Sequence, residues 1–170
     1  IHPGMSEVYN IFDLQMGMTA EKVSDRHDIS REEQDEYAAR SQQRAAAATE
    51  SGRFAEEIVP IETDEGTVET DEGIRPGTTA EKLAGLSPVF KSDGTVTAGN
   101  ASQISDGASA TLLASREFAR DHGLDILAEV GDHNVAGVDP TVMGIGPVPA
   151  VRGLCERYDR DPGEYPLETD

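Results

Sequence analysis

The sequence has a single cysteine, Cys155, and no tryptophan. One thiol leaves no internal disulfide framework and no cysteine-based zinc site within one chain. Positive charge is also scarce. Three lysines (Lys22, Lys82, Lys91) and eleven arginines stand against 33 acids, for a net charge of −19. Nucleic-acid binding draws its affinity from phosphates neutralised by Lys and Arg, and a polybasic membrane surface needs the same residues, so neither class fits. No apolar run approaches the roughly 20 residues needed to cross a bilayer. No basic start leads into an apolar segment as a secretory signal would. The expectation is a cytoplasmic chain that engages neither nucleic acid nor membrane.

What is present is 170 residues, of which 36% are hydrophobic and 5% aromatic. That length suits one domain with a modest core. An acidic chain with few aromatics can be disordered, but several capped, periodic segments argue against that for most of the length. A surface adapted to high salt is the second reading, because screening removes the self-repulsion of its acids. Abundant Asp and Glu with few Lys fit a halophilic protein.

Local signals mark the elements. Thr19 reads as the N-cap of a short helix reaching His27. Ser30-Arg-Glu-Glu33 is a capping box opening a long helix that stops before Gly52. Gln34, Tyr37, Ala38, Ser41, Ala45 and Ala48 give that helix one thin packing face. Residues 57–61 are a strand candidate. The near repeat Glu62-Thr-Asp-Glu-Gly66 and Glu69-Thr-Asp-Glu-Gly73 has the wrong spacing for a calcium loop and reads as an acidic hairpin in water. Thr78-Thr-Ala-Glu81 is a weaker cap, after which Leu83, Leu86 and Phe90 can share an apolar side. Residues 108–115 and 126–135 are further strand candidates. Ser115 caps a helix over 116–122 closed by Gly123. A last helix over 150–158 turns Leu154 and Cys155 inward. The order from 108 to 158 suggests an α/β layer.

Chemistry is sparse. His2, His27, His122 and His133 show no metal-binding spacing and read as surface or structural residues. Cys155 lies near Arg152 and Arg157, which could activate a thiolate, but no His partner or helix N-terminus accompanies it, and an inert buried thiol is the plainer reading. Gly99-Asn-Ala-Ser102 and Met143-Gly-Ile-Gly-Pro147 offer bare backbone to a ligand, or are simply tight turns.

An ordered series of motifs carries a family resemblance. Met16-Gly-Met-Thr-Ala-Glu21, Ile29-Ser-Arg-Glu-Glu-Gln-Asp35, Ser41-Gln-Gln43, Gly52-Arg-Phe54 and Glu57-Ile-Val-Pro60 resemble thiolase segments. Asp71-Glu-Gly-Ile-Arg-Pro-Gly-Thr-Thr79 is similar to the degradative 3-ketoacyl-CoA thiolases. Gly94-Thr-Val-Thr-Ala-Gly-Asn-Ala-Ser102 with Ser105-Asp-Gly-Ala108 resembles the family's mid-chain motif, and Val138-Asp-Pro140 and Met143-Gly-Ile-Gly-Pro147 follow in order.

The resemblance implies an α/β thiolase-fold fragment, mostly the α+β loop domain that binds coenzyme A (CoA) plus part of the layered core. It assigns residues 1–91 to that helix-rich loop domain and 92–115 to the last strand region of the N-terminal half. Residues 116–170 become the start of the C-terminal half. The family's nucleophilic Cys would lie upstream, and its Asn-Glu-Ala-Phe, Gly-His-Pro and Cys-x-Gly motifs downstream, Tyr165-Pro-Leu-Glu168 halting just short of the first. No catalytic residue and no metal ligand is therefore expected in this chain.

CoA would be a substrate rather than a tightly bound cofactor, with acyl-CoA as the other partner. Ser102 matches the residue that bonds the pantetheine arm, and Ala98 and Gln103 match residues lining it. Val89 and Phe90 match its apolar cover, Met16 and Met143 the acyl end, and Arg75 an arginine beside the nucleotide. Gln15 departs from the His of many biosynthetic members, and Lys82 from a Ser near the adenine. The implied activity of the parent, expected to be a homodimer or homotetramer, is thiolytic cleavage of 3-ketoacyl-CoA or the reverse condensation. A non-catalytic CoA- or lipid-binding relative, or an inactive truncated product, is the alternative.

Overall fold

The computed structural model describes residues 3–161; His2 and residues 165–168, singled out above, lie outside them. The chain divides into two compact units. Among the described residues, the first comprises 3–105 with 139–144, and the second 106–138 with 145–161.

The first unit is built on two helices, α1 (Met16–His27) and α2 (Arg31–Glu50). Helix α1 starts three residues before the expected cap. Thr19 is inside it and 3% exposed, and its hydroxyl donates back to the Met16 carbonyl at 2.8 Å instead of capping. The helix stops at Asp28, which takes a left-handed φ of 53°. The capping box then forms as expected. The Glu33 amide donates to the Ser30 hydroxyl at 3.2 Å, and the Glu33 carboxylate accepts from the Ser30 amide at 2.8 Å. Donation to that carboxylate from the Ser30 amide, the larger cause, and from the Ser30 hydroxyl at 2.8 Å holds the Glu33 carboxyl below its ordinary pKa. Helix α2 ends at Ser51, followed by Gly52 at φ 79°.

The inner face of α2 is not the stripe expected. Gln34, Ala38, Ala45 and Ala48 lie on it, but Tyr37 and Ser41 are exposed, and Arg31, Asp35, Ala39 and Gln42 complete it. Residues 57–61 are not a strand. The pairing begins at Ile61, where β1 (Ile61–Thr63) meets β2 (Gly66–Val68) antiparallel with Ile61 opposite Val68. All six residues are exposed, so the first acidic repeat is the solvated hairpin expected. Helix α3 (Ala80–Ala84) is capped by Thr79 and lays Leu83 into the core. Buried apolar residues in this unit are few: Ala39, Leu83, Val96 and Val142. They are matched by buried Thr19, Glu21, Ser24, Asp35 and Thr97.

The second unit contains α4 (Arg116–Asp121), capped by Ser115 and stopped by Gly123 at φ 64°, and α5 (Pro147–Arg157). Pro147 opens α5 earlier than expected, at a position where its missing N–H costs nothing. Cys155 is buried at 4% exposure. The segments 108–115 and 126–135 are not strands here; the hairpin is the only sheet among the described residues. Leu112, Leu113, Leu127, Val130 and Val135 are all more than 70% exposed. A strand exists only through its neighbours' hydrogen bonds, and these segments have none within the described residues. Asp132 instead organises the end of α5. It accepts from Arg157 at 2.8 Å, from the Tyr158 hydroxyl at 2.9 Å and from the His133 amide at 2.9 Å. The Arg157 bond leads in holding its carboxyl down to a pKa of about 2.

Candidate functional site

The segment 94–103 carries the most specific motif, and helices α1 and α2 grip it through side chains. The Glu21 carboxylate, from α1, accepts the Thr95 amide at 2.9 and 3.1 Å, the Val96 amide at 2.9 Å and the Thr95 hydroxyl at 3.2 Å. Gly94 makes this approach possible: a Cβ there would stand 2.3 Å from a Glu21 oxygen. From α2, Asp35 accepts the Asn100 side-chain amide at 2.9 Å and pairs with Arg31 at 2.7 Å. Asn100 in turn accepts the Thr97 amide at 2.7 Å and donates to the Thr95 carbonyl at 3.0 Å. Thr97, fully buried, accepts the amides of Gly99 and Asn100. Gln34 donates to the Thr95 hydroxyl at 3.0 Å.

The same face of α2 reaches the other loops of the unit. Arg31 donates to the carbonyls of Leu83 and Leu86 at 2.7 and 2.9 Å. Gln42 accepts the Arg75 amide at 2.7 Å, and Gln43 donates to the Thr78 carbonyl at 3.2 Å. Lys91 joins its loop to α1 by an ion pair with Asp25 at 3.2 Å, which raises the Lys91 pKa.

The candidate residues fall on these loops. Val89 donates to the Val96 carbonyl at 3.0 Å and Pro88 bridges Thr97, which brings Val89 and Phe90 beside the segment bearing Ala98, Ser102 and Gln103. Val89 and Phe90 remain 59% and 41% exposed. The Phe90 ring lies on Gly17, where a Cβ would be 2.2 Å away, so Phe90 also adjoins Met16 at the start of α1. Leu83 and Leu86 meet Gly99 instead of sharing a side with Phe90. The Gln103 amide fills the space over Gly73, two residues from Arg75. Arg75 is exposed and spends one nitrogen on the carbonyls of Glu72 and Ile74, at 2.8 and 3.2 Å. Ser102 and Ala98 are exposed, and the Ser102 hydroxyl donates only to the Gln103 carbonyl, at 3.3 Å. Met143, 42% exposed, sits on the turn Pro140–Ile145, whose Gly144 approaches Val23 of α1. An open cavity of about 370 Å³ beside this turn is lined by Lys22, Asp25, Arg26, Thr141 and Val142, and none of the eight residues lines it.

Glu21, Asp35, Gln42 and Asn100 lie within the resembling segments, and Asn100 also within the ligand-shaped Gly99-Asn-Ala-Ser102 stretch, but the sequence reading gives none of them a holding role. Glu21 looks like one acid among 33. Its signal is its place between Gly17 and Ser24, at helical spacing on a face otherwise made of small residues. Cys155 has neither a histidine partner nor exposure in α5. Among the described residues no group of three His, Cys, Asp or Glu could hold a metal ion, and no helix is long and apolar enough to cross a membrane.

Residues 1–117 match the model of the thiolase N-terminal domain. An acetyl-CoA acetyltransferase of Pseudomonas aeruginosa is 50% identical over 162 residues, which cover 92% of this chain and 41% of that protein. The structure is similar to that of human mitochondrial 3-ketoacyl-CoA thiolase solved in complex with CoA. The TM-score is 0.79 with 49% identity, over 86% of this chain and 37% of that one. It is also similar to the dimeric peroxisomal thiolase of Saccharomyces cerevisiae, with a TM-score of 0.85 and 40% identity over 94% of this chain and 42% of that one. The chain thus spans about two fifths of the length of the relatives it matches.

Proposed function

The chain belongs to the thiolase family, and from that membership we propose that it is the CoA-holding part of a 3-ketoacyl-CoA thiolase. The parent reaction cleaves a 3-ketoacyl-CoA with free CoA to acetyl-CoA and a shortened acyl-CoA, or runs the reverse condensation. The parent works as a homodimer or homotetramer in the cytoplasm, with residues 1–91 as its loop domain. The observation that carries this reading is the tying of Val89, Phe90, Ala98, Ser102 and Gln103 to one connected pair of loops. An exposed hydroxyl, an exposed apolar pair and, two residues from the glycine under Gln103, an exposed arginine suit in turn a pantetheine arm, its methylene surface and a phosphate. Met16 and Met143 stand toward the acyl end.

The chain contributes no proton chemistry of its own: Cys155, buried in α5 without a base, is not a nucleophile. The test is calorimetric titration of the chain with CoA and with pantetheine. Both should bind. Ser102→Ala should weaken both by about 0.5–1.5 kcal/mol, the net worth of an ordinary hydrogen bond. Arg75→Ala should weaken CoA alone, and less so in molar salt. Absence of binding, or an Arg75 effect equal on pantetheine, overturns the assignment. The chain should leave acetoacetyl-CoA uncleaved; cleavage abolished by Cys155→Ala would make that thiol the nucleophile after all.

A further inference from the structure

The segment 94–100 is exceptional in how its backbone is satisfied. It belongs to no sheet beyond the single bridge at Pro88 and Thr97. The amides of Thr95, Val96, Thr97, Gly99 and Asn100 are instead taken by side chains: Glu21, Asn100 and Thr97. Two of the groups closing this network, Glu21 and Asp35, are carboxylates 2% exposed. Asp35 has Arg31 as its counter-charge, whereas Glu21 has no ion pair among the described residues and spends both oxygens on the loop. A buried carboxylate is tolerated only where donors converge on it. Here the donors are consecutive backbone amides, so the charge is used to fix backbone position.

We propose that Glu21 is the positioning residue of the CoA loop, with Asp35, through Asn100, as its weaker second anchor. Glu21 touches no candidate ligand residue directly. It sets the path of 94–97, and that path places Ala98, Ser102 and Gln103 on one side and, through the bridge, Val89 and Phe90 on the other. An amide in its place keeps the size but turns an N–H toward donors and leaves a buried amide unpaired. A shift of about 1 Å in such a supporting shell is enough to disable a site. The inference deepens the proposed function and rests on it.

The experiment compares the full chain with Glu21→Gln, Gly94→Ala, Asp35→Asn and Ser102→Ala. CoA and pantetheine affinities are read together with hydrogen exchange at individual amides and with the thermal midpoint. Glu21→Gln should weaken CoA and pantetheine equally, by about tenfold or more, and should speed exchange at Thr95 and Val96 while the amides of α2 stay protected. Gly94→Ala, which intrudes on the same carboxylate from the loop side, should reproduce this pattern, and Asp35→Asn should give a smaller version centred on Asn100. Ser102→Ala should weaken binding with no change in exchange. Unchanged Thr95 and Val96 exchange in Glu21→Gln overturns the inference, as does CoA affinity equal to that of the unaltered chain. Loss of α2 protection together with the loop also overturns it, because the role would then be general stability. If the unaltered chain binds neither ligand, the proposed function falls, and this inference with it. Binding that survives Glu21→Gln removes the inference alone.

Discussion

The two units treat their irregular backbone in opposite ways. In the first, each loop that carries a candidate residue between 75 and 100 is held by a side chain from α1 or α2, and the largest buried groups include Glu21 and Asp35. In the second, residues 124–135 run past α4 with Ile126, Leu127 and Val130 turned to solvent. The first unit has little apolar material and makes up for it with satisfied polar contacts, which specify geometry well because an unpaired buried group is so costly. The second has the apolar material but, among the described residues, nothing to place it against.

Core truncation should separate the units most. Leu83, 6% exposed on α3 and packed toward Gly99, should cost about 2–5 kcal/mol when changed to Ala, the usual range for a buried leucine. Leu127, 96% exposed, should cost less than about 0.5 kcal/mol. Chemical denaturation followed by circular dichroism measures both. A large loss at Leu127 would mean that the second unit buries it in solution, and the contrast would break.

Salt should act more gently and on the whole chain. With a net charge of −19, the thermal midpoint should rise as the screening length shrinks from about 10 Å at 0.1 M to about 3 Å at 1 M. A flat or falling midpoint removes the high-salt reading. The Glu21 contacts are buried hydrogen bonds, so protection at Thr95 should change less with salt than the midpoint does.

The smallest effect belongs to the second unit. Asp132 has its folded pKa lowered from 3.8 to about 2. The stability it contributes is therefore present above pH about 4 and lost as the pH falls toward 2. In Asp132→Asn, the acid-induced loss of α5 over that window should flatten, as read by amide shifts of residues 147–157. An unchanged acid profile would show that the contacts to Arg157 and Tyr158 do not form in solution.

Legibility in the sequence followed the range of the interaction. The Ser30 box, the Gly52 and Gly123 stops, the Ser115 cap and the first acidic hairpin are all decided within a few residues, and each stands where expected, whereas the weaker cap falls on Thr79, one residue after the Thr78 to which the Thr-x-x-Glu spacing points. Helix α1 was misjudged at its start because a threonine before an acid looks like a cap, while only the Phe90 ring, far along the chain, explains why Gly17 lies inside a helix. The strand candidates at 108–115 and 126–135 have the right residues, but pairing is a property of two segments and neither has its second here. Of the site, the resembling segments are legible, Glu21, Asp35, Gln42 and Asn100 among them, but not which of their residues hold the loops. Glu21 and Val96 are 75 positions apart, and no local pattern announces that an acid will meet two amides.

Helix α2 has a further consequence through its outward side. Glu32 and Glu36 face water while Arg31, Gln34, Asp35 and Gln42 face the loops, so surface chemistry and site geometry are written on separate letters of one helix. Solubility and ion tolerance can then drift, or be redesigned, without retuning the grip on the loops. Replacing exposed acids such as Glu32 and Glu36 with lysine should lessen any rise of the thermal midpoint with salt, with every loop anchor described above left as it was.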